Sequence, residues 1–327
     1  MGFEGLVGNQ KTKELLSSLL EAGRFPHAII LEGDEGLGKR TLALEIALSL
    51  VCKSEDSPCR KCAQCSKVLK HLHPDVITYT GSGKSNAISV DTVREVISEA
   101  SVKPNEADYK ILILEECTNM LVPAQNALLK ILEEPPEYIV LILCAKTKSI
   151  FLETVLSRSV VFTLDGVDIA EGALYICNKN EDADYEEAQR ALSICNGNIG
   201  KALETLDDGR LKKIVDIAND LSRAMVKNNE YELLKACSVF ERDNQLLIST
   251  LTFLKSILRD AALYESGAPM LSNQKETASL LSKELGEKML IRLINVCDEI
   301  SAFAKGSGNN AILITKLCYE LRRAQGR

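Results

Sequence analysis

The run "AIILEGDEGLGKRTLALEIALSLV", residues 28–51, constrains the fold more than any other stretch of the chain. A short β-branched apolar segment, "AIILE", is followed by a glycine-rich turn and then by an apolar helical pattern from Leu42 to Val51. Gly33, Gly38 and Lys39 satisfy G-x-x-x-x-G-K, with Gly36 as a third glycine inside the turn. Strand, loop and helix in that order aim backbone N–H groups and a helix N-terminus at one spot, and Lys39 adds a charge there. Four more β-branched apolar runs read as buried strands: "VITYT" from Val76, "KILILEE" from Lys110, "YIVLILC" from Tyr138 and "VVFTL" from Val160. Helical patterns at Val90–Ala100 and Ala124–Glu134 lie between them, and the alternation implies a mostly parallel sheet covered on both faces.

After Leu164 the strand signal stops. "DYEEAQRALSICNGNIGKALETL" is helical, with Gly197 as the break between two short helices. From about Arg210 apolar residues recur at helical spacing: Leu246, Leu247, Leu251, Leu254, Ile257 and Leu258, then Leu285, Met289, Leu293, Ile294 and Ile300. The linker candidates are "DDGR" at 207–210, "ESGAPM" at 265–270 and "KGSGNN" at 305–310. The expected class is therefore α/β plus all-α. Residues 1–165 form a P-loop domain, 166–208 a small helical domain and 209–327 an all-helical C-terminal domain.

The phosphate loop departs from its pattern at one position. Arg40 stands where a Ser or Thr hydroxyl would hold Mg²⁺, and a guanidinium carries the wrong charge and no acceptor oxygen. Thr41 comes one residue late and would point roughly 100° around the helix. A second string, "GSGKS" at 81–85, lacks the first glycine because Thr78 occupies that place, so it reads as a surface loop. Glu115 and Glu116 end the strand "KILIL", where P-loop ATPases carry acidic residues for metal and water. Glu115 is one methylene longer than the usual Asp, in a site that demands tight octahedral geometry.

Cys52, Cys59, Cys62 and Cys65 give C-x6-C-x2-C-x2-C. Thiolates at this spacing can close a tetrahedral Zn²⁺ shell, so a structural zinc site over residues 52–65 is expected, with iron–sulfur ligation as the alternative. Lys53, Arg60, Lys61 and Lys67 lie close enough in sequence to offset the negative centre. His71 and His73 read as helix-end or surface residues. The other seven of eleven cysteines, Cys144 and Cys195 among them, read as small core hydrophobes. The start of the chain lacks the basic head and apolar core of a secretion signal, and no run has the length of a membrane span, so a cytoplasmic protein with no membrane partner is expected. With a net charge of −7, the chain is a poor candidate for binding DNA by its own phosphate contacts, and a zinc-dependent DNA-binding module is disfavoured.

Assembled, these residues resemble the bacterial clamp-loader subunits of the AAA+ class. The resemblance rests on the P-loop, the four-Cys insert after its helix, "RFPHAIILEG", "NALLKILEEPP" at 126–136 and "SRS" at 157–159, and it covers the first two domains. It implies an AAA+ parallel-sheet domain with a zinc module, a helical lid and a C-terminal collar that joins five subunits in a ring. The implied partners are tau/gamma and delta subunits, and through them the sliding clamp and primed DNA. ATP and Mg²⁺ would contact Gly33, Gly36, Gly38, Lys39, Thr41, Glu115 and Glu116 in a degenerate site. The motor subunits of the family have an intact Ser or Thr, an Asp-Glu pair and a sensor Arg. Here Arg40, Glu115 and Gly200 stand at those places, with Lys201 beside the last and Thr147 as a sensor candidate after the fourth strand.

One functional position is kept. "LSRS" puts Arg158 where the family carries an arginine finger that completes the neighbouring subunit's ATP site. In "NALLKILEEPP", Ala127, Leu128, Ile131 and Leu132 share a helix face that Pro135 and Pro136 end, and Lys130 is either solvated or turned to DNA. The resemblance thus implies a non-catalytic ring component that donates Arg158 in trans. The alternative is an active tau/gamma-like ATPase in which Thr41 and Glu115 replace the missing groups.

Overall fold

The computed structural model describes residues 3–54, 56–81, 87–180, 183–207, 209–227, 229–240, 243–305 and 310–324. All of "GSGKS" after Gly81 and most of "KGSGNN" lie outside the described residues. The chain divides into two compact units, Met1–Gly166 and Val167–Arg327.

The first unit is a five-stranded sheet between helices. Its elements are α1 (Gln10–Glu21), β1 (Ala28–Glu32), α2 (Lys39–Val51), α3 (Ala63–Leu69), β2 (Val76–Tyr79), α4 (Val90–Ala100), β3 (Lys110–Leu114), α5 (Val122–Glu133), β4 (Ile139–Ala145), α6 (Glu153–Leu156) and β5 (Val160–Thr163). The strands lie in the order β2-β3-β4-β1-β5 and all four pairings are parallel. Each of the five predicted apolar runs is a strand. The alternation of side chains decides which helix covers which face. Ile29, Leu31, Ile111, Ile113, Val140 and Ile142 join a core with Leu16 of α1, Leu42 and Ile46 of α2 and Val68 of α3. Ile30, Leu112, Leu114, Leu141 and Leu143 join a second core with Val93 and Val96 of α4 and Leu128 and Ile131 of α5. The central strands are buried on both faces, which is why they read as unbroken apolar runs.

Helix α2 begins three residues earlier than the apolar pattern does, because its first turn is the polar "KRT". Helix α5 starts with Pro123 in its first turn, where the missing N–H does no harm, and ends before Pro135 and Pro136.

The second unit is helical: α7 (Ile169–Lys179), α8 (Tyr185–Ile194), α9 (Ile199–Asp207), α10 (Arg210–Lys227), α11 (Glu230–Ser238), α12 (Asn244–Ala262), α13 (Lys275–Glu284), α14 (Glu287–Lys305) and α15 (Asn310–Ala324). Gly197 sits between α8 and α9 with φ 74, the left-handed conformation that suits glycine at such a break. One apolar core runs through the unit, and α12 contributes Leu246, Leu247, Leu251, Phe253, Leu254, Ile257 and Leu258 to it. The buried carboxylate of Asp260 accepts from the N–H groups of Leu271 (3.0 Å) and Ser272 (2.8 Å) and so fixes the turn that leads into α13. No helix among the described residues is long and apolar enough to cross a membrane.

Candidate functional site

The glycine-rich loop joins β1 to α2 at the C-terminal edge of the sheet. Gly33 is buried and donates its N–H to Ala145 O at 3.1 Å, which ties the loop to the end of β4. Gly36 is exposed, and Gly38 caps α2 with φ 88. A side chain at Gly38 would be strained by that φ, and Leu6 Cδ1, 2.8 Å from the Cβ position, would have to move aside.

The cations of the loop are engaged within the chain. Lys39 Nζ donates to Gly33 O (2.6 Å) and Asp34 O (2.9 Å), the carbonyls of the loop it belongs to. Burial pushes its ammonium below the usual range, against the pull of Glu116, Asp34 and Glu35. Arg40 turns to the end of β3 and forms an ion pair with Glu115. Lys146, which the sequence reading passed over, pairs with Asp34 at 3.5 Å and donates its backbone N–H to Thr118 Oγ1 at 3.1 Å. Thr41 is half-buried in the first turn of α2, and Glu116 lies near enough to Lys39 to act on its charge. Thr147 caps a short 3-10 turn through Ser149 N (3.4 Å).

Glu32, also passed over, joins three segments of this edge. Its carboxylate accepts from Lys148 N (2.9 Å) and from Thr163 Oγ1 on β5 (3.0 Å). The site is therefore a rigid strand-end platform with a bent loop on it. A divalent ion at Glu115 would meet a guanidinium already seated there. A polyphosphate would have to draw Lys39 away from two carbonyls.

Arg158 stands on the turn between α6 and β5, on a segment placed by α5. The buried amide of Gln125 donates to Met120 O (3.1 Å) and Ile150 O (2.9 Å) and accepts from Leu152 N (2.8 Å), fixing the approach to α6. Arg158 Nη2 pairs with Glu133 Oε1 at the end of α5 (3.1 Å), and Nη1 donates to Thr154 O (3.0 Å). Its side chain keeps 36% of its surface exposed. Lys130 is exposed on α5, while Leu128, Ile131 and Leu132 are buried and Ala127 half-buried. In the second unit, Gly200 and Lys201 lie in the first turn of α9, where Lys201 N donates to Asn198 Oδ1 (3.1 Å).

The four cysteines converge as the spacing predicts. Their sulfurs all lie within 4.8 Å of one another. Ligands ~2.3 Å from a shared tetrahedral ion would stand ~3.8 Å apart, so the set fits a structural Zn²⁺ with little movement. Cys52 is the C-cap of α2, and Cys62 is the N-cap of α3. Backbone N–H groups of Cys59, Cys62 and Cys65 donate to the sulfurs of Cys52, Cys59 and Cys62, each at 3.4 Å, which favours thiolates. The N–H groups of Lys61 and Cys62 draw the Cys59 thiol down to about 6, whereas burial first, and then the Cys62 and Cys52 sulfurs, push Cys65 up. Bound there, the ion would cross-link the end of α2 to α3.

Three of the four predicted offsetting cations, Arg60, Lys53 and Lys67, pair with carboxylates. Arg60, at φ 56 in the bend between Cys59 and Cys62, forms an ion pair with the buried Glu45 of α2. Lys53 pairs with Asp108 (3.3 Å) and Lys67 with Glu106 (2.5 Å). Gly5 passes over Glu45 so closely that a Cβ there would come within 2.1 Å of Glu45 Oε1. His71 is exposed at the end of α3, as expected, but His73 is 4% exposed rather than on the surface. Its Nδ1 accepts the Asp75 N–H at 3.0 Å. Cys144 is buried in the sheet and Cys195 half-buried.

The chain is similar in sequence to several known proteins. The sequence model of a family described as "DNA polymerase III, delta subunit" matches residues 8–168. The DNA polymerase III subunit gamma of Buchnera aphidicola subsp. Acyrthosiphon pisum is 28% identical over 269 residues, covering 78% of this chain and 72% of that protein. The DNA polymerase III subunit tau of Bacillus subtilis is 25% identical over 352 residues, covering 97% of this chain and 61% of that protein. Among solved structures, a gamma-subunit-related protein of Thermotoga maritima aligns at 17% identity with a TM-score of 0.40, over 94% of this chain and 99% of that chain.

Proposed function

We propose that the chain is a delta prime-type subunit of the DNA polymerase III clamp loader, a reading supported by the family model that matches residues 8–168 and by the gamma and tau relatives. In this reading it does not turn over ATP. It sits in a five-membered ring with tau/gamma and delta subunits, offers Arg158 to the ATP held by its neighbour, and helps load the sliding clamp onto primed DNA. Residues 166–208 serve as the small helical lid and 209–327 as the collar that holds the ring. The four cysteines hold a structural zinc.

The observation that carries the reading is the Arg40–Glu115 ion pair. The pair is exposed on its arginine side, so its own stability contribution is only ~0–1 kcal/mol. Its meaning is geometric. The carboxylate best placed to take Mg²⁺ already has a cation on it, and the residue that should share the ion is that cation. Phosphoryl transfer depends on metal and positioned charge, so a site without them keeps the loop as scaffold.

A second reading, an active tau/gamma-like ATPase, draws support from the names of the relatives, which are gamma and tau subunits. Steady-state ATP hydrolysis by the purified chain separates the two. The non-motor reading expects a rate indistinguishable from background in Mg²⁺, unchanged by Lys39→Ala. Robust turnover that Lys39→Ala abolishes would move the chain to the motor class.

A further inference from the structure

The start of the chain lies along α2. Phe3 and Leu6 are 3% and 5% exposed and belong to the core that covers one face of the sheet. Leu6 Cδ1 rests 2.8 Å from the point where a Cβ on Gly38 would stand, so its side chain covers the last glycine of the loop. Further on, the side chain of Asn9 exchanges two hydrogen bonds with the backbone of Asp165, at 3.1 and 2.8 Å. Residues 3–8 are thus a strap, tied at its far end and seated over the first turns of α2.

The seat of the strap is an ion pair. A Cβ on Gly5 would stand 2.1 Å from Glu45 Oε1 and 3.3 Å from Arg60 Nη2, so the strap backbone lies directly on both partners. The Glu45 side chain is 3% exposed and its Oε2 has no partner, which leaves Arg60 to offset the buried charge. Arg60 arrives from the cysteine bend. Its φ of 56 is a conformation that an arginine holds only where its surroundings impose it. Those surroundings are the sulfurs: Cys59 N donates to Cys52 Sγ and Cys62 N to Cys59 Sγ, each at 3.4 Å. A continuous path of contacts therefore runs from the cysteines through Arg60 and Glu45 to Gly5, and along the strap to Leu6 on Gly38.

We propose that Arg60 is a latch through which the four-cysteine bend holds this strap down on the end of the glycine-rich loop. The inference rests on the reading of Cys52, Cys59, Cys62 and Cys65 as a zinc site. A bend closed on the metal fixes the backbone of Arg60 and with it the place of the guanidinium, so Glu45 stays paired and residues 3–6 stay seated. A bend without metal is free to relax toward ordinary backbone and draw the guanidinium away. Glu45, buried and then unpaired, reaches water only if the strap lifts, and the lifted strap uncovers Gly38.

The test uses the full chain, stripped of metal by a chelator, dialysed, and compared with and without equimolar Zn²⁺, whose uptake is measured by atomic emission. Chymotrypsin reads the strap, because it cuts after large apolar residues and cleavage after the buried Leu6 requires residues 3–6 to lift. The product that begins at Val7 is followed by mass. Zinc should slow its formation by about tenfold or more. Arg60→Met combined with Glu45→Met removes the pair without leaving a buried charge. In that double variant zinc uptake should persist while its effect on cleavage shrinks to about threefold or less. Gly5→Ala changes only the strap, and its Cβ would crowd the ion pair, so cleavage should be fast with zinc or without it. That variant carries the test if the double variant does not fold. The latch alone is overturned if the parent takes up zinc yet is cleaved at one rate either way, or if the double variant or Gly5→Ala keeps the full effect of zinc. A parent that takes up no zinc overturns the zinc reading, and the latch with it.

Discussion

Asp75 has no exposed surface, yet it is the anchor of the segment that leads into β3. Its carboxylate oxygens accept N–H groups from Asn105 (2.7 Å), Glu106 (2.7 Å) and Ala107 (2.9 Å). Burial pushes the carboxyl up, but those three donors and nearby His73 outweigh it and leave the group below its usual range. A carboxylate depressed in the folded state stabilises it fully above the unfolded value, about 3.9, and that stability is lost as pH falls through the folded value. His73 acts in the same direction. Burial lowers it, against Asp75 and Glu106, so folding binds fewer protons there and stability starts to fall as pH drops below about 6.5. Asp75→Ala leaves three backbone donors without an acceptor and should be destabilising by about 3 kcal/mol at pH 7 in urea unfolding followed by circular dichroism. The gap between variant and parent should close in acid, once the parent's carboxylate is protonated. A gap that stays constant down to pH 2 would mean the charge is not what holds the segment.

Helix α2 is the element on which both candidate sites hang. It opens on the glycine-rich loop, closes on Cys52, and carries Glu45 in the middle, where Arg60 of the cysteine bend pairs with it. If the four cysteines hold a metal as proposed, its loss should loosen the C-terminal half of α2 together with α3. Cys62→Ser, or chelation of the parent protein, should raise backbone hydrogen exchange there while leaving α12 and α14 of the second unit as protected as before. Full metal content in Cys62→Ser, or exchange unchanged in α2, would show the ligand set to be wrong. The cysteine bend, the loop and the five strands were legible because each is a local signal: spacing, glycine placement, or an apolar run buried on two faces. The first turn of α2 was not, since "KRT" carries no apolar period, and the reading began the helix at Leu42. The pairs Arg40–Glu115, Arg60–Glu45, Lys146–Asp34 and Arg158–Glu133 left no trace in the sequence either. They join residues that only the sheet or the cysteine bend brings together. A titratable residue read alone gives its charge but not its partner. For the same reason His73 was taken for a surface residue: nothing in "KHLHPD" tells which imidazole turns inward.

In a ring, what one subunit contributes depends on which of its contacts can be exchanged at a boundary. Arg158 is held within its own chain by Glu133 and Thr154 O, with a third of its side chain exposed. An ion pair of that exposure contributes only ~0–1 kcal/mol, so a neighbour's phosphate can take the guanidinium from Glu133 at little cost. The fixed part is the mount: Gln125 locks the approach to α6, and α5 supplies Glu133 at the right height. The reconstituted loader carries the consequence. If Arg158 is the arginine finger proposed above, Arg158→Ala should leave assembly intact, because the substitution removes no buried contact, and should lower DNA-stimulated ATP hydrolysis by at least the share of one motor site. An arginine finger contributes about 10³–10⁵ in rate at its own site, so that site should fall silent. Glu133→Gln makes the complementary point: it frees the guanidinium without removing it, and hydrolysis should be maintained or increased. An unchanged rate in Arg158→Ala, in a ring shown by mass to be complete, would reduce this arginine to a surface cation and leave the proposed role in catalysis without a chemical basis.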